Sequence, residues 1–422
     1  MQRVAWVLLL GWLVGCGGTP IPTVTAEATK PKAVVVPAEV ELLFDRGELT
    51  SAIELLSMLI EKTPRDESLY SLRATAHHRL GHHNDALADL DQAISLSDRD
   101  ANLFNNRGFI RLGLQQFQAA LQDFDKALEL APRYTNVFNN RGLLFIAQGK
   151  FTEAIEQFNR ALEIDDQYID AYNNRGFAEF QSDQIGQALD DFNVALQLNP
   201  EYVNAYNNRG LLRARAGDFE NALIDFTQAM MIEPLNPKYY EHRRDLYQKQ
   251  GAYDKAVADD RKIVWLVEYH QLTAEIAAST DPAIELTQRA KHFMKIDEQE
   301  KALDDLNRAV SLDPTFVDAL VARANVHLSQ KSMDKAKADA EASLAITAKT
   351  EAYSILGDVF LDLGDYDRAI ENFARARRID ASVADAYYAK SKSLAKQGQQ
   401  EQAQDNLQQA LALDPDVESR LR

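Results

Sequence analysis

Small and apolar residues return on a period of 34 residues along most of this chain. One slot reads Ala52, Ala86, Ala120, Ala154, Ala188, Ala222, Ala256, Ala302, Ala336, Ala369 and Ala403 without exception. Seven residues later stand Ala93, Ala127, Ala161, Ala195, Ala229, Ala309, Ala376 and Ala410, with Leu59, Ile263 and Ser343 in the remaining periods. Two small residues seven apart lie on one helical face and let a neighbouring backbone come close. The pattern predicts two helices per period: a first such as AYNNRGFAEFQ (171–181), a short turn, and a second such as IGQALDDFNVALQL (185–198).

The punctuation agrees. Gly149, Gly217, Gly251, Gly364 and Gly398 fall in the turn, where a helix C-terminus favours glycine. Phe117, Phe151, Phe219, Tyr253 and Tyr366 follow the turn slots by two residues. Pro64, Pro132, Pro200, Pro234, Pro314 and Pro415 close second helices. Units begin at Ala33, Glu67, Ala101, Thr135, Ile169, Val203 and Pro237, then at Ala283, Val317, Thr350 and Ala384. Pro37 shortens the first helix of the first unit. Asp260 and Ile263 replace the expected Phe and Ala of the seventh, whose second helix is predicted to run on to about Ser279. Twelve residues, Gln271–Pro282, then interrupt the period.

Period, alanines, glycines, aromatics and prolines together resemble the tetratricopeptide repeat (TPR) over about residues 33–417. The resemblance implies an all-α, right-handed α-solenoid of about eleven helix-turn-helix units in two arrays. The first array is expected at 33–270, its seventh and last unit divergent; an insert follows at 271–282. A second array of four units takes 283–417, and a tail 418–422.

An arginine recurs in the first helix: Arg73, Arg107, Arg141, Arg175, Arg209, Arg243, Arg289 and Arg323. Sixteen residues later stand Asp89, Asp123, Gln157, Asp191, Asp225, Asp259, Asp305 and Asp339. In the two later units the slot holds Leu356 and Lys390, and the offset residue becomes Asn372 and Asn406. Arginine and aspartate disappear together, so the arginine is expected to bind the aspartate as a two-pronged donor between the helices of one unit.

The tetrapeptide NNRG occurs four times, at 105–108, 139–142, 173–176 and 207–210. Helical spacing sets Asn102, Asn105, Asn106 and Phe109 on one side of their helix. The equivalent sets are Asn136, Asn139, Asn140 and Leu143; Asp170, Asn173, Asn174 and Phe177; and Asn204, Asn207, Asn208 and Leu211. By the TPR resemblance this side lines a concave groove. An amide both donates and accepts, so a row of them can hold a peptide backbone whatever its sequence. Phe109, Leu112, Leu143, Ile146, Phe177 and Phe180 add apolar contacts. The arrangement resembles the asparagine ladders of peptide-binding TPR proteins and armadillo solenoids. Solvated asparagines, or asparagines bonded to one another between units, are the alternative.

The N-terminus reads MQRVAWVLLLGWLVGCGG (1–18). Arg3, a short apolar run and Leu13-Val14-Gly15-Cys16 resemble a bacterial lipoprotein signal peptide. That resemblance implies cleavage after residue 15, diacylglycerol on the Cys16 thiol and an acyl chain such as palmitate on its amine. Several acyl chains hold a bilayer stably. Residues 16–36 are rich in Pro and Thr and read as a tether. Gly17 after the cysteine favours the outer membrane, facing the periplasm.

Composition narrows the function. A formal charge of −18 and a pI near 4.9 repel phosphate backbones, which disfavours nucleic acid as a partner. Cys16 is the sole cysteine, so no disulfide framework exists within one chain. No phosphate loop, dinucleotide fingerprint, Gly-x-Ser-x-Gly elbow or zinc-protease motif appears. HHRLGHH (77–83) could bind Zn or Ni, but His77 and His83 occupy slots where the repeat takes aromatics, so packing is the reading. No cofactor, resident metal or enzymatic activity is expected. The chain reads as a membrane-anchored scaffold or adaptor that binds extended segments of other envelope proteins. The alternatives are a structural component that self-associates through its array ends, or a regulatory subunit of an envelope enzyme.

Overall fold

A computed structural model describes residues 38–421. The lipobox, Cys16 and the tether lie outside the described residues. The described chain is all-α: twenty-three helices, no strand, arranged as eleven consecutive pairs and one short terminal helix. First helices run Ala38–Asp45, Glu67–Arg79, Ala101–Gly113, Thr135–Ala147, Ile169–Gln181, Val203–Arg215 and Pro237–Lys249, then Ala283–Met294, Val317–Ser329, Thr350–Asp362 and Ala381–Lys396. From Ala38 to Lys249 and from Ala283 to Leu413, paired helices pack on each other and second helices pack on the first helix of the next pair. Contacts divide the chain into two compact units, one ending at Asp259 and one from Asp260 to Arg422.

The alanine slot is the packing seam. Ala52, Ala86, Ala120, Ala154, Ala188, Ala222, Ala302, Ala336 and Ala369 have no exposed surface, and Ala256 and Ala403 have almost none. Beside it, Phe124, Phe158, Phe192, Phe226 and Phe373 are fully buried. Each ring fills the space left by a side-chain-free residue of the first helix. A Cβ on Gly108 would lie 2.7 Å from the Phe124 ring, and one on Gly210 equally close to Phe226. At the turns, Gly149 adopts φ 72°, and Lys150 N donates to Phe145 O at 2.9 Å. This geometry satisfies carbonyls that the helix end leaves unpaired. Gln115, Asp183, Asp297 and Lys331 take the same left-handed conformation where the slot has no glycine.

Two details depart from the repeat frame. The last first helix starts at Ala381, three residues before the framed Ala384, because Arg377 turns left-handed at φ 56° and Asp380 caps Ser382 N. A four-residue helix, Val417–Arg420, follows the last pair; Val417 is buried, and Arg420 binds Asp385 and Asp414. The second helix of the seventh pair runs from Tyr253 to Ala278, the extension that the pattern predicts.

All seven expected arginine–aspartate pairs form. Arg175 Nε and Nη2 each lie 2.7 Å from Asp191, and the pairs of Arg73, Arg107, Arg209, Arg243, Arg289 and Arg323 repeat this fork. In five of them, Arg73, Arg107, Arg175, Arg209 and Arg243, the guanidinium also lies over an aromatic ring three residues earlier, as Arg175 does over Tyr172. Its remaining nitrogen reaches the preceding unit. Nη1 donates to Ser57, Asp91, Asn159, Asn193, Thr273 and Asn307, each sixteen residues before its arginine. One arginine thus ties three helices: its own, its partner in the pair, and the second helix before it.

Arg141 is the exception that the sequence marks with Gln157. It reaches Asp125 at 3.5 Å, and its buried Nε has no hydrogen-bond partner. Gln157→Asp would supply the missing carboxylate. A charge-assisted bond to a half-buried guanidinium is worth about 1–2 kcal/mol after desolvation. The variant is expected to unfold at higher urea concentration than the parent; an unchanged or lower midpoint would refute the tie.

Candidate interaction face of the first helices

The NN pairs sit where neighbouring first helices touch. Asn105, Asn139, Asn173 and Asn207, the first of each pair, are buried. Each oxygen accepts from the next unit: Asn140 Nδ2 to Asn105 Oδ1 at 2.8 Å, Asn174 to Asn139 at 3.0 Å, Asn208 to Asn173 at 3.0 Å. Within three of the pairs, at Asn105, Asn173 and Asn207, the first amide donates to the second, as Asn173 does to Asn174 at 3.2 Å. His242 ends the row in the asparagine slot of the following unit, its Nδ1 2.8 Å from Asn207 Oδ1. Burial lowers that imidazole to about 4, so at neutral pH it is uncharged, with Nδ1 bearing the proton towards Asn207. The result is a rail of amides linking consecutive units.

Two tyrosine links lie beside it. Tyr134 Oη donates to Asn102 Oδ1 and Tyr202 Oη to Asp170 Oδ1, both at 2.5 Å. Burial raises the Tyr134 phenol to about 12, and burial with the charge of Asp170 raises Tyr168 and Tyr202 further.

The residues expected to line a groove therefore divide. Asn105, Asn139, Asn173, Asn174, Asn207, Leu143 and Phe177 are buried, and Leu112 and Ile146 are spent in the core. Asn102, Asn106, Phe109, Asn136, Asn140, Asn204, Asn208 and Leu211 stay half-buried, with part of their surface open. Each bonded amide keeps a second N–H or lone pair. Replacing Asn140 or Asn208 with alanine would also strand a buried acceptor, so such a change costs stability as well as contact.

One buried carboxyl breaks the pattern. Arg111 and Arg213 each donate to the aspartate of their unit, Asp123 and Asp225. The fifth unit places Glu179 in that slot, beside Asp191, with its Oε2 buried and unpartnered. Burial first, then the Asp191 charge, raise Glu179 to about 8 against the pull of Arg175; Asp190 adds to the rise. The folded chain therefore holds a proton that the unfolded chain releases above about pH 4.5. Stability falls with pH wherever the folded state binds more protons, here between about 4.5 and 8. Glu179→Gln, neutral throughout, is expected to match the parent near pH 4 and to exceed it at pH 8.5 by at least about 1 kcal/mol, one pKa unit being worth that much. Parallel urea curves at the two pH values give the comparison, and an equal gap at both would contradict the retained proton on Glu179.

In the unit from Asp260 to Arg422 the same helical positions enclose a cavity of about 530 Å³. Val321, Ala322 and Ile355 form its floor; Lys291, Asp318, Asn325, Lys349, Asp358 and Arg378 rim it. Lys349 binds Asp318 at 2.9 Å, which lowers the carboxyl and raises the amine. Arg378 bridges Asp358 and Asp380 at 2.5 and 2.8 Å. No sequence repeat marks this site, although Asp318, Val321, Ala322 and Asn325 share the register of Asn102, Asn105, Asn106 and Phe109. Amide repetition marks the first array, whereas here the slots hold mixed residues with no repeat to draw the eye.

Consecutive helix pairs, an alanine seam and arginine ties define a helical-repeat protein. Comparison with protein families finds the tetratricopeptide repeat in this chain. A model described as TPR repeat matches residues 142–183 and 357–398, and models described as Tetratricopeptide repeat match 101–134, 174–232 and 384–417. Comparison with curated proteins gives no match. Among solved structures, the chain is similar to MamA, at 25% identity over 38% of this chain and 94% of that one, TM-score 0.35. It is similar to Pseudomonas aeruginosa PilF, at 19% identity over 50% of this chain and 99% of that one, TM-score 0.43. It is also similar to the C-terminal part of a TPR repeat-containing protein from Cytophaga hutchinsonii, at 17% identity over 68% and 98%, TM-score 0.39.

Proposed function

We propose that this chain is a non-enzymatic scaffold, anchored to a bacterial membrane through a lipidated Cys16, that captures extended segments of other envelope proteins along its first helices. The observation that carries the reading is the two-part first-helix face: a rail of half-open amides in one unit, a cavity with an apolar floor and a charged rim in the other. An extended chain offers alternating N–H and C=O groups, which amides match, and side chains, which a cavity of this size accepts. Concave faces of helical repeats are the usual binding surface of such arrays. The buried asparagines hold the rail in place, while Asn102, Asn106, Asn136, Asn140, Asn204 and Asn208, with Phe109 and Leu211, make the contact.

The anchor rests on the N-terminal sequence. None of the described helices is long and apolar enough to cross a membrane. Gly17 favours an outer-membrane, periplasm-facing location.

The test has two arms. Growth with an alkyne fatty acid is expected to label the chain, and Cys16→Ser to abolish the label and release the protein from membrane pellets. Phe109→Ala with Leu211→Ala, both at half-open positions, is expected to weaken partner recovery at least about tenfold, each buried contact being worth about 1–2 kcal/mol. Persistent labelling of Cys16→Ser would sink the anchor; undiminished recovery by the double variant would sink the face.

A further inference from the structure

We propose that the turn joining the helices Glu67–Arg79 and His83–Leu96 binds a divalent first-row transition ion, Zn²⁺ in the first instance, with His77, His82 and Asp85 as protein ligands. One ligand atom from each of the three lies within 4.8 Å of the other two, the one such group among the described residues.

The backbone builds the site without help from an ion. His82 N donates to His77 O at 2.9 Å and Gly81 N to His78 O at 3.0 Å, a closure that needs the left-handed φ of 78° at Gly81. This sets the His77 and His82 rings 5.8 Å apart. Asp85 follows His82 by three residues, so its carboxylate lies on the same side of the second helix. His82 occupies the N-cap position but makes no side-chain cap bond, which leaves its imidazole available. His77 is half-buried, and its buried Nδ1 has no hydrogen-bond partner. It is the fixed member; His82 and Asp85 are exposed and can close on it.

The chemistry selects the ion. Bonds of about 2.0–2.1 Å in tetrahedral geometry set donors about 3.3 Å apart, so rotation of two exposed side chains completes the contraction. Two neutral imidazoles and one carboxylate suit a borderline ion such as Zn²⁺ or Ni²⁺, and not Mg²⁺ or Ca²⁺, which want oxygen. Three protein ligands leave a fourth position to water. The neighbouring His78 and His83 rings lie 5.3 Å apart, but no third ligand gathers there among the described residues. An ion at the proposed site would clamp the first helix of this pair, through His77, to the start of the second.

The test is isothermal titration of the chelator-treated full chain with ZnCl₂, with circular dichroism to confirm that each variant is folded. One ion per chain is expected. His82→Asn and Asp85→Asn are each expected to weaken binding at least about tenfold, since even an outer-shell partner is worth that much. His83→Asn is expected to leave binding unchanged. Absence of zinc binding by the parent, undiminished binding by the His82→Asn/Asp85→Asn chain, or loss of binding on His83→Asn would each overturn the assignment.

Discussion

Asp225→Ala is expected to cost about 3–5 kcal/mol, because it strands two guanidinium groups that have no other carboxylate of equal burial. Asp225 has no exposed surface; it accepts from Arg209 at 3.1 and 2.7 Å and from Arg213 at 2.7 Å. Removing the anion leaves both cations partly desolvated and unpaired. In a repeat array each unit touches only its neighbours, so the damage should stay local. Hydrogen exchange should therefore rise across 203–232 and its flanking helices, with little change beyond Asp260. Replacing Asp225, Arg209 and Arg213 together by leucine should recover much of the loss, since an apolar cluster has no charge to strand. Exchange unchanged in the single variant would show that the ties are ornamental.

The second large effect concerns the ring under the glycine. Phe158 is fully buried, and a Cβ on Gly142 would meet its Cζ at 2.5 Å and Cδ1 at 2.8 Å. Phe158→Ala should cost about 3–5 kcal/mol through lost transfer energy and a cavity. Gly142→Ala should cost about 1–3 kcal/mol in the parent through overpacking. In the Phe158→Ala background the added methyl enters empty space, and its cost should vanish or reverse. Additive costs in a double-mutant cycle would contradict the contact.

How much of this was legible in the sequence depends on whether a residue's partner lies in its own period. The alanine seam, turn glycines and long helix to Ala278 follow from spacing alone. So do the arginine–aspartate forks, because arginine and aspartate vanish together at Leu356 and Lys390. The third arm of each arginine carried the same signal unread: the position sixteen residues before it is polar in every such unit and becomes Ala340 and Ala374 where the arginine is lost. The asparagines were harder. Helical spacing places Asn105 and Asn106 on one side of a helix but does not say that the next first helix covers part of that side. Solvent-facing and neighbour-facing amides look alike until the units are stacked. Glu179 was invisible for the opposite reason, since a single acid in one unit has no recurrence to flag it.

Capture of extended segments by the first helices is tested most directly by site-specific photo-cross-linking in the native envelope. A photoreactive residue would replace Asn106, Leu211 or Asn325 in turn, with Met231, 70% exposed on a second helix, as control. The expected result is cross-links from the three first-helix positions to short contiguous stretches of other envelope proteins, and none from Met231. Cross-links from Met231 alone, or only between copies of this chain, would contradict it.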